Sequence, residues 1–175
     1  MQQDDIIKDL DYLVRVHPSR QGNEFHISLL AEEAAVKING TDVIQMLLNL
    51  SVNAFQCTPE PHSVEIGGEV LASGLDPAQF KDGSNDRFLN VEHMSDTAPI
   101  VKLWVRDTGP GIPAEVLPKI FQSYFTTKGH GQGTGLGLTI VQRLVKDAHG
   151  ALHVHTERGV GTTFTIYLPG VQVPK

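Results

Sequence analysis

The sequence predicts an α/β fold, a two-layer sandwich with a sheet on one side and a layer of helices on the other. Three observations carry that expectation. Apolar positions at helical spacing alternate along the chain with short β-branched and aromatic runs, a mixture that calls for sheet-on-helix layering. The 175 residues, with 40% hydrophobic and 19% charged side chains, have the size and composition of a globular unit with one sizeable core. Glycine and proline clusters punctuate the periodic segments, and no internal repeat points to a solenoid.

Residues 4–16 place Ile6, Ile7, Leu10, Leu13 and Val14 at helical spacing behind an acidic first turn, and His17-Pro18 ends that helix. "FHISL" (25–29) and "AAVKI" (34–38) read as short strands. Thr41 is the expected N-cap of a long helix that runs to Cys57, stopped by Thr58-Pro59. "HSVEIGGEVLA" (62–72) is a strand whose two glycines predict a bulge. Residues 73–99, rich in Asp, Ser, Asn, Gly and Pro, read as a surface insertion, disordered in part. "IVKLWVRD" (100–107) is a strand, and "IPAEVLPKIF" (112–121) a short helix with Pro113 in its first turn. A further helix covers 135–148, with Leu138, Val141, Leu144, Val145 and Ala148 on one stripe and Gly150 as its C-terminal cap. "ALHVHTE" and "TTFTIYL" flank the turn "RGVG" as a hairpin.

Charge is spread unevenly. Residues 1–59 carry 4 basic and 8 acidic side chains, 60–100 carry 2 and 8, and 101–175 carry 8 and 4. The net charge of −6 argues against duplex nucleic acid as a partner, while the basic last third suits a small polyanion bearing phosphate. No apolar run reaches membrane-spanning length, the acidic N-terminus is not that of a signal peptide, and Cys57 is the only cysteine. A cytoplasmic domain without direct membrane contact is the expectation.

Three constellations carry chemistry. On the helix 42–57, Gln45, Asn49, Asn53 and Gln56 form one stripe of amides. An otherwise apolar helix should be buried, so these amides either bond neighbouring backbone or wall a site, offering an oxygen to a hard cation such as Mg²⁺. At the end of the strand 100–107, Asp107 precedes Thr108-Gly109-Pro110-Gly111. This is either an ordinary Asp-Thr-Gly turn or a carboxylate that accepts from an exocyclic amine, favouring adenine over guanine. An aspartic protease would need a second such triplet, which the chain lacks. Finally, "GHGQGTGLGLTIV" (129–141) sets five glycines at alternate positions before a helix whose free amides favour phosphate. The spacing matches neither a P-loop nor the dinucleotide fingerprint, and 129–134 reads as one end of a lid.

Taken together and in order, "NLSVNA" (49–54), "DTGPGI" (107–112), "FQSYFTTK" (121–128) and "GTGLGL" (133–138) resemble the asparagine box, first glycine box, phenylalanine box and second glycine box of sensor histidine kinases. "GTTF" (161–164) is similar to their final glycine motif, and the whole looks most like the nitrogen-regulation type. The likeness runs from Asp4 to Gly170, with the insertion 73–99 unmatched, and implies one histidine kinase-like ATP-binding catalytic domain over 1–175. The fold it implies is that shared with gyrase, the Hsp90 chaperones and DNA mismatch-repair ATPases. That fold is a mixed, mostly antiparallel sheet on one layer of helices, with a flexible ATP lid.

By this resemblance the cofactors are ATP and Mg²⁺. Asn53 is the metal ligand, Asn49 supports the phosphates, and Lys128 is the cation for the terminal phosphates. Asp107 binds the adenine amine, lined by Gly109, Gly111 and Ile112, with Thr162 assisting at the base. Gln56, Thr127, Lys128, Gly133, Thr134, Gly135, Leu136 and Gly137 complete the nucleotide contacts, while Phe121, Tyr124 and Phe125 anchor the lid. Gln56 and Cys57 stand where the asparagine box often continues with Lys and Tyr, and Cys57 reads as a small buried side chain. None of the eight histidines has a phosphoacceptor's context; His153 and His155 alternate on a strand and read as solvent-facing, and His130 falls in the lid.

The implied activity is donation of the γ-phosphate to a histidine on a separate helical dimerisation domain, for relay to the aspartate of a response-regulator receiver domain. The isolated domain is expected to be monomeric. Alternatives are a free-standing anti-sigma-factor-like serine kinase, a clamp ATPase and a degenerate nucleotide-binding module. A clamp ATPase of the gyrase kind carries its Glu base where this chain has Asn49, and an amide takes no proton from water.

Overall fold

The structure is a computed structural model that describes residues 3–20, 22–27, 34–36, 40–94, 99–121 and 137–172. Helix α1 (Gln3–Val16) leads into strand β1 (Glu24–Ile27). Strand β2 (Ala34–Val36) precedes helix α2 (Gly40–Phe55) and strand β3 (Ser63–Leu71). Strands β4 (Asp86–Leu89) and β5 (Ile100–Asp107), helix α3 (Gly137–Asp147), and strands β6 (Ala151–Glu157) and β7 (Gly161–Gln172) complete the order. The sheet runs β1-β3-β5-β7-β6-β4, with β2 paired antiparallel to the far end of β7. Among the described strands only the β1–β3 pair is parallel, so the sheet is mixed and mostly antiparallel, as expected.

Strand alternation divides the sheet into two faces. Val64, Ile66, Val105, Leu152, Val154, Phe164, Ile166 and Leu168 point inward, all at most 4% exposed. Against them pack Leu10 and Val14 of α1, Val43, Met46, Leu47 and Leu50 of α2, and Val141 and Val145 of α3. Burial of these side chains is the main stabilising term, since each is worth about 1.5–3 kcal/mol. Leu13, on the expected stripe of α1, is instead 38% exposed, because the stripe that meets the core is narrow.

The structure corrects several sequence expectations. No bulge interrupts β3, whose register with β5 runs unbroken from Val64 opposite Asp107 to Leu71 opposite Ile100. Gly67 is there because the Trp104 indole lies across it, where a Cβ would strike the ring. The expected helix 112–121 is reduced to turns and a 3-10 turn at Leu117–Lys119, since Pro118 brings no N–H and disfavours helical geometry before it. Helix α2 starts at Gly40, which puts Thr41 inside the helix, and its last residue is Phe55. Gly150 does not supply the left-handed cap of α3. His149 does, at φ 58°, with the Gly150 N–H on the Val145 carbonyl (2.9 Å) and the His149 N–H on that of Lys146 (3.1 Å).

The insertion 73–99 is the largest correction. It contributes β4, an edge strand antiparallel to β6. Leu75, Phe80, Val91 and Met94 cover Ile100, Ala151 and Tyr167 on the outer face. The insertion therefore adds a partial third layer, although residues 95–98 lie outside the described ones. Phe80 stacks on Phe88 (4.9 Å), and Phe88 on His153 (4.1 Å, 6° between planes). Asp86 Oδ1 lies 2.7 Å from His153 Nε2 and 2.9 Å from His155 Nδ1. His153 is thus covered rather than solvent-facing.

The Asp86 carboxylate raises the pKa of His155 above the usual histidine range, assisted by Glu157, whereas burial lowers that of His153. A histidine raised in the folded state stabilises fully below its ordinary pKa, and that contribution is lost as pH rises through the folded value. The effect is small, because His155 is half-exposed and such pairs are worth about 0–1 kcal/mol. Asp86→Asn should therefore bring the His155 titration, followed by NMR, down toward the ordinary histidine value. An unmoved titration would show that Asp86 is not its cause.

Candidate functional site

Strand β5 ends in Asp107, which the inward alternation of Val101, Leu103 and Val105 carries onto the helix-facing side at 5% exposure. Its Oδ1 accepts from the Gly109 N–H (2.9 Å) and from the Thr162 N–H (3.3 Å). Burial pushes the Asp107 carboxyl above the usual carboxylate range, opposed by the Gly109 and Thr162 bonds and by the nearby His62 and Cys57. Two amides thus hold one carboxylate oxygen, and the Cys57 thiol also reaches the carboxylate.

The two glycine turns exist to let the backbone come this close. Gly111 (φ 81°) has no room for a Cβ beside the Glu157 carbonyl, and one at Gly161 would strike the Asp107 carbonyl oxygen. A Cβ at Gly109 would meet Cys57 Sγ and Asp107 Oδ1. The Gly159 N–H donates to the Pro110 carbonyl (2.9 Å) and the Ile112 N–H to Thr156 Oγ1 (2.8 Å), locking the first glycine turn to the β6–β7 hairpin. Asp107, Thr162 and Thr156 lie side by side across β5, β7 and β6, and the two hydroxyls are 2.9 Å apart.

Helix α2 carries the predicted amides. Gln45 is exposed, while Asn49, Asn53 and Gln56 are half-buried, so the amide stripe is not submerged in the core. Asn49 Oδ1 comes within 3.9 Å of the place a Cβ would take on Gly137, the first residue of α3. Cys57 is exposed and not a buried filler: α2 has ended at Phe55, and the thiol lies in the following turn, 3.6 Å from His62 Nε2. His62 Nε2 donates to the Ala54 carbonyl (2.6 Å) in the last turn of α2.

Among the predicted residues, Asp107, Gly109, Gly111, Ile112 and Thr162 are thus joined in one cluster, and Asn49 is brought to Gly137. Thr127, Lys128, Gly133, Thr134, Gly135 and Leu136 lie outside the described residues, as do Tyr124, Phe125 and His130, while Phe121 packs against the core. Sequence reasoning missed Thr156, 2% exposed, and His62. Alternation along "ALHVHTE" already put Thr156 on the buried face, a place where threonine needs a partner.

The model of the histidine kinase-, DNA gyrase B- and HSP90-like ATPases matches residues 38–172. The chain belongs to this family. It is 41% identical over 126 residues to the sensor kinase CckA of Brucella abortus and 45% identical over 125 residues to the sensor histidine kinase ZraS of Escherichia coli K12. Each match covers 71% of this chain, which spans only 12% and 21% of those two relatives. Among solved structures, the mycobacterial sensor histidine kinase MprB superposes with a TM-score of 0.65 at 23% identity, over 99% of this chain and 97% of that one. Full-length ShkA in complex with AMPPNP gives 0.69 at 23% identity, over 97% of this chain and 30% of that one. These likenesses establish the fold as that of histidine kinase ATPase domains.

Because its folded-state pKa is raised, ionised Asp107 costs stability near neutral pH. Asp107→Asn keeps an oxygen for both amides and removes the buried charge. Without nucleotide, the variant should melt no lower than the parent at pH 7, and up to about 4 °C higher. A clear drop in calorimetric melting temperature would assign Asp107 a net structural role.

Proposed function

We propose that the chain binds Mg-ATP and presents the γ-phosphate to a histidine on a separate helical dimerisation domain. The phosphoryl group then passes to a response-regulator aspartate. The observation that carries the reading is the buried Asp107, a carboxylate suited to accept from an exocyclic amine, held on the helix-facing side of the sheet by the Gly109 and Thr162 amides. Membership of an ATPase family whose named relatives are sensor kinases supports it. A neighbouring histidine kinase structure, ThkA with the response regulator TrrA, supports the proposed receiver partner.

The residues fit their roles by chemistry. Neutral amide oxygens such as Asn53 suit Mg²⁺, a hard cation that keeps octahedral oxygen ligation. Asn49, beside Gly137 at the start of α3, lies where helix amides favour phosphate. Lys128, with Gly133 to Gly137 of the glycine loop, would neutralise and enclose the triphosphate, and Gln56 and Thr127 would add contacts. Phosphoryl transfer asks an enzyme mainly for positioning and charge neutralisation, so a site without a nucleophile is sufficient. No helix among the described residues is long and apolar enough to cross a membrane, in keeping with a domain that works in the cytoplasm.

Titration calorimetry tests the binding reading. The parent should bind ATP more tightly with Mg²⁺ than without it, and prefer ATP to GTP. Asn53→Ala should abolish the Mg²⁺ dependence while preserving the circular dichroism spectrum. Full Mg²⁺ dependence in that variant would remove Asn53 from the metal site, and equal affinity for GTP would remove Asp107 from the base.

Incubation with γ-labelled ATP tests the activity. The chain alone should neither label itself nor release phosphate quickly, and base-stable, acid-labile label should accumulate on an added dimeric phosphoacceptor domain. Acid-stable label on an added protein's serine would favour the anti-sigma reading. Rapid phosphate release would favour a clamp ATPase.

A further inference from the structure

We propose that Thr156 is a positioning residue that fixes the direction of a hydroxyl relay and thereby makes Thr162 a hydrogen-bond donor to the nucleotide base. The inference rests on the reading of the Asp107 cleft as an adenine site. Thr156 is 2% exposed and Thr162 5%, so neither hydroxyl has water as a ready partner. Thr156 Oγ1 accepts the Ile112 N–H at 2.8 Å, so its own proton must go elsewhere. Two acceptors are in reach, Thr162 Oγ1 at 2.9 Å and the Gly161 carbonyl at 3.5 Å. Distance favours the first, because a hydroxyl bond is strongest near about 2.7–2.8 Å and is nearly spent at 3.5 Å. The relay therefore runs from the Ile112 N–H to Thr156 and from Thr156 to Thr162.

In that direction the Thr162 hydroxyl makes no further hydrogen bond among the described residues, and its proton is presented beside the Asp107 carboxylate. Asp107 and Thr162 sit opposite each other across β5 and β7, so the pair presents one acceptor and one donor side by side. Adenine offers the complement on its Watson–Crick edge, an exocyclic amine that donates and a ring nitrogen that accepts. Guanine offers an oxygen and a protonated ring nitrogen, which is mismatched at both positions. Discrimination would then come from two contacts, the second of them set by a residue one strand removed from the base.

The test compares Thr156→Val, which keeps the shape and removes the hydroxyl, with Thr156→Ser, which restores it. Affinities for ATP, GTP and purine riboside triphosphate, which lacks the amine but keeps the accepting ring nitrogen, are measured on the folded chain. Thr156→Val should weaken ATP and purine riboside triphosphate alike by about 3- to 10-fold, the worth of one net hydrogen bond. It should also shrink the ATP-over-GTP preference, as the freed Thr162 hydroxyl can rotate to accept. Thr156→Ser should return both values to within about twofold of the parent. Asp107→Asn, by contrast, should weaken ATP and spare purine riboside triphosphate. If Thr156→Val does not fold, Thr156→Ala against Thr156→Ser, which differ only by the hydroxyl, gives the same comparison. An unchanged ATP-over-GTP ratio in the hydroxyl-less variants, or an equal loss of all three nucleotides that tracks a fall in melting temperature, overturns the relay while leaving the ATP site standing. A parent chain that binds none of the nucleotides overturns both.

Discussion

The constraint on which the structure turns is the burial of one carboxylate. Asp107 is held on the core side of the sheet at the end of its central strand pair, where desolvation disfavours its charged form. Two backbone amides compensate in part, and both come from turns that only glycine permits. The Gly109 N–H reaches the carboxylate from the turn after β5. The Thr162 N–H reaches it from β7, whose first residue, Gly161, passes so close to the Asp107 carbonyl that a methyl would not fit. A group kept ionisable in such a place at a net cost is what a functional site requires and a stability optimum would remove.

The outer face solves a different problem. Helices cover only one side of the sheet, and Ile100, Ala151 and Tyr167 would leave an apolar patch on the other. The insertion covers that patch and extends the sheet by a strand. Its edge is then closed by its own approach loop: Asp82 Oδ1 accepts the Phe88 N–H (2.8 Å) and Oδ2 accepts from Arg87 (3.0 Å). It also touches the site's supports, since the Asn85 carbonyl accepts the Thr156 N–H (3.0 Å) and Asn90 Nδ2 donates to the Gly150 carbonyl (2.8 Å) at the end of α3. An apparently separate surface loop is thus tied both to the hairpin behind Asp107 and to the helix that starts at Gly137.

The long strands and amphipathic helices were legible because alternation and helical spacing are local properties. β5 occupies the expected residues 100–107, and the bounds of α1 and α2 and the end of α3 move by one or two residues, as fraying ends do, while the expected start of α3 at 135 lies outside the described residues. What escaped was set by partners distant in sequence. Gly67 marks the footprint of Trp104, not a bulge, and nothing within β3 says so. The four residues of β4 are too few to show a period inside a segment whose composition speaks for a loop. His149 takes the left-handed position because Gly150 is needed one residue later, where a Cβ would strike the Tyr167 carbonyl. In the site, the glycine turns and Asp107 were legible as motifs. The role of Thr156 was not, because a buried threonine on a strand is identified only by what it bonds across the sheet.

Charge divides the cleft in a way that follows from the same economy. The α2 wall presents amides, which bring oxygen ligands without adding to the negative field of Asp107 across the cleft or to that of an incoming polyphosphate. A carboxylate at position 49, which approaches Gly137, would supply a base for water but would also repel phosphates bound as proposed at the start of α3. On the proposed reading, the exchange of a base for a neutral ligand favours holding the terminal phosphate for an acceptor supplied from outside over spending it on water. Positive charge is left to the last third of the chain, with 8 basic against 4 acidic side chains, and to the dipole at the start of α3. On the proposed reading, the hydrogen-bonded Asp107 cluster would select the base, while neutral amides and the basic last third of the chain would serve the triphosphate.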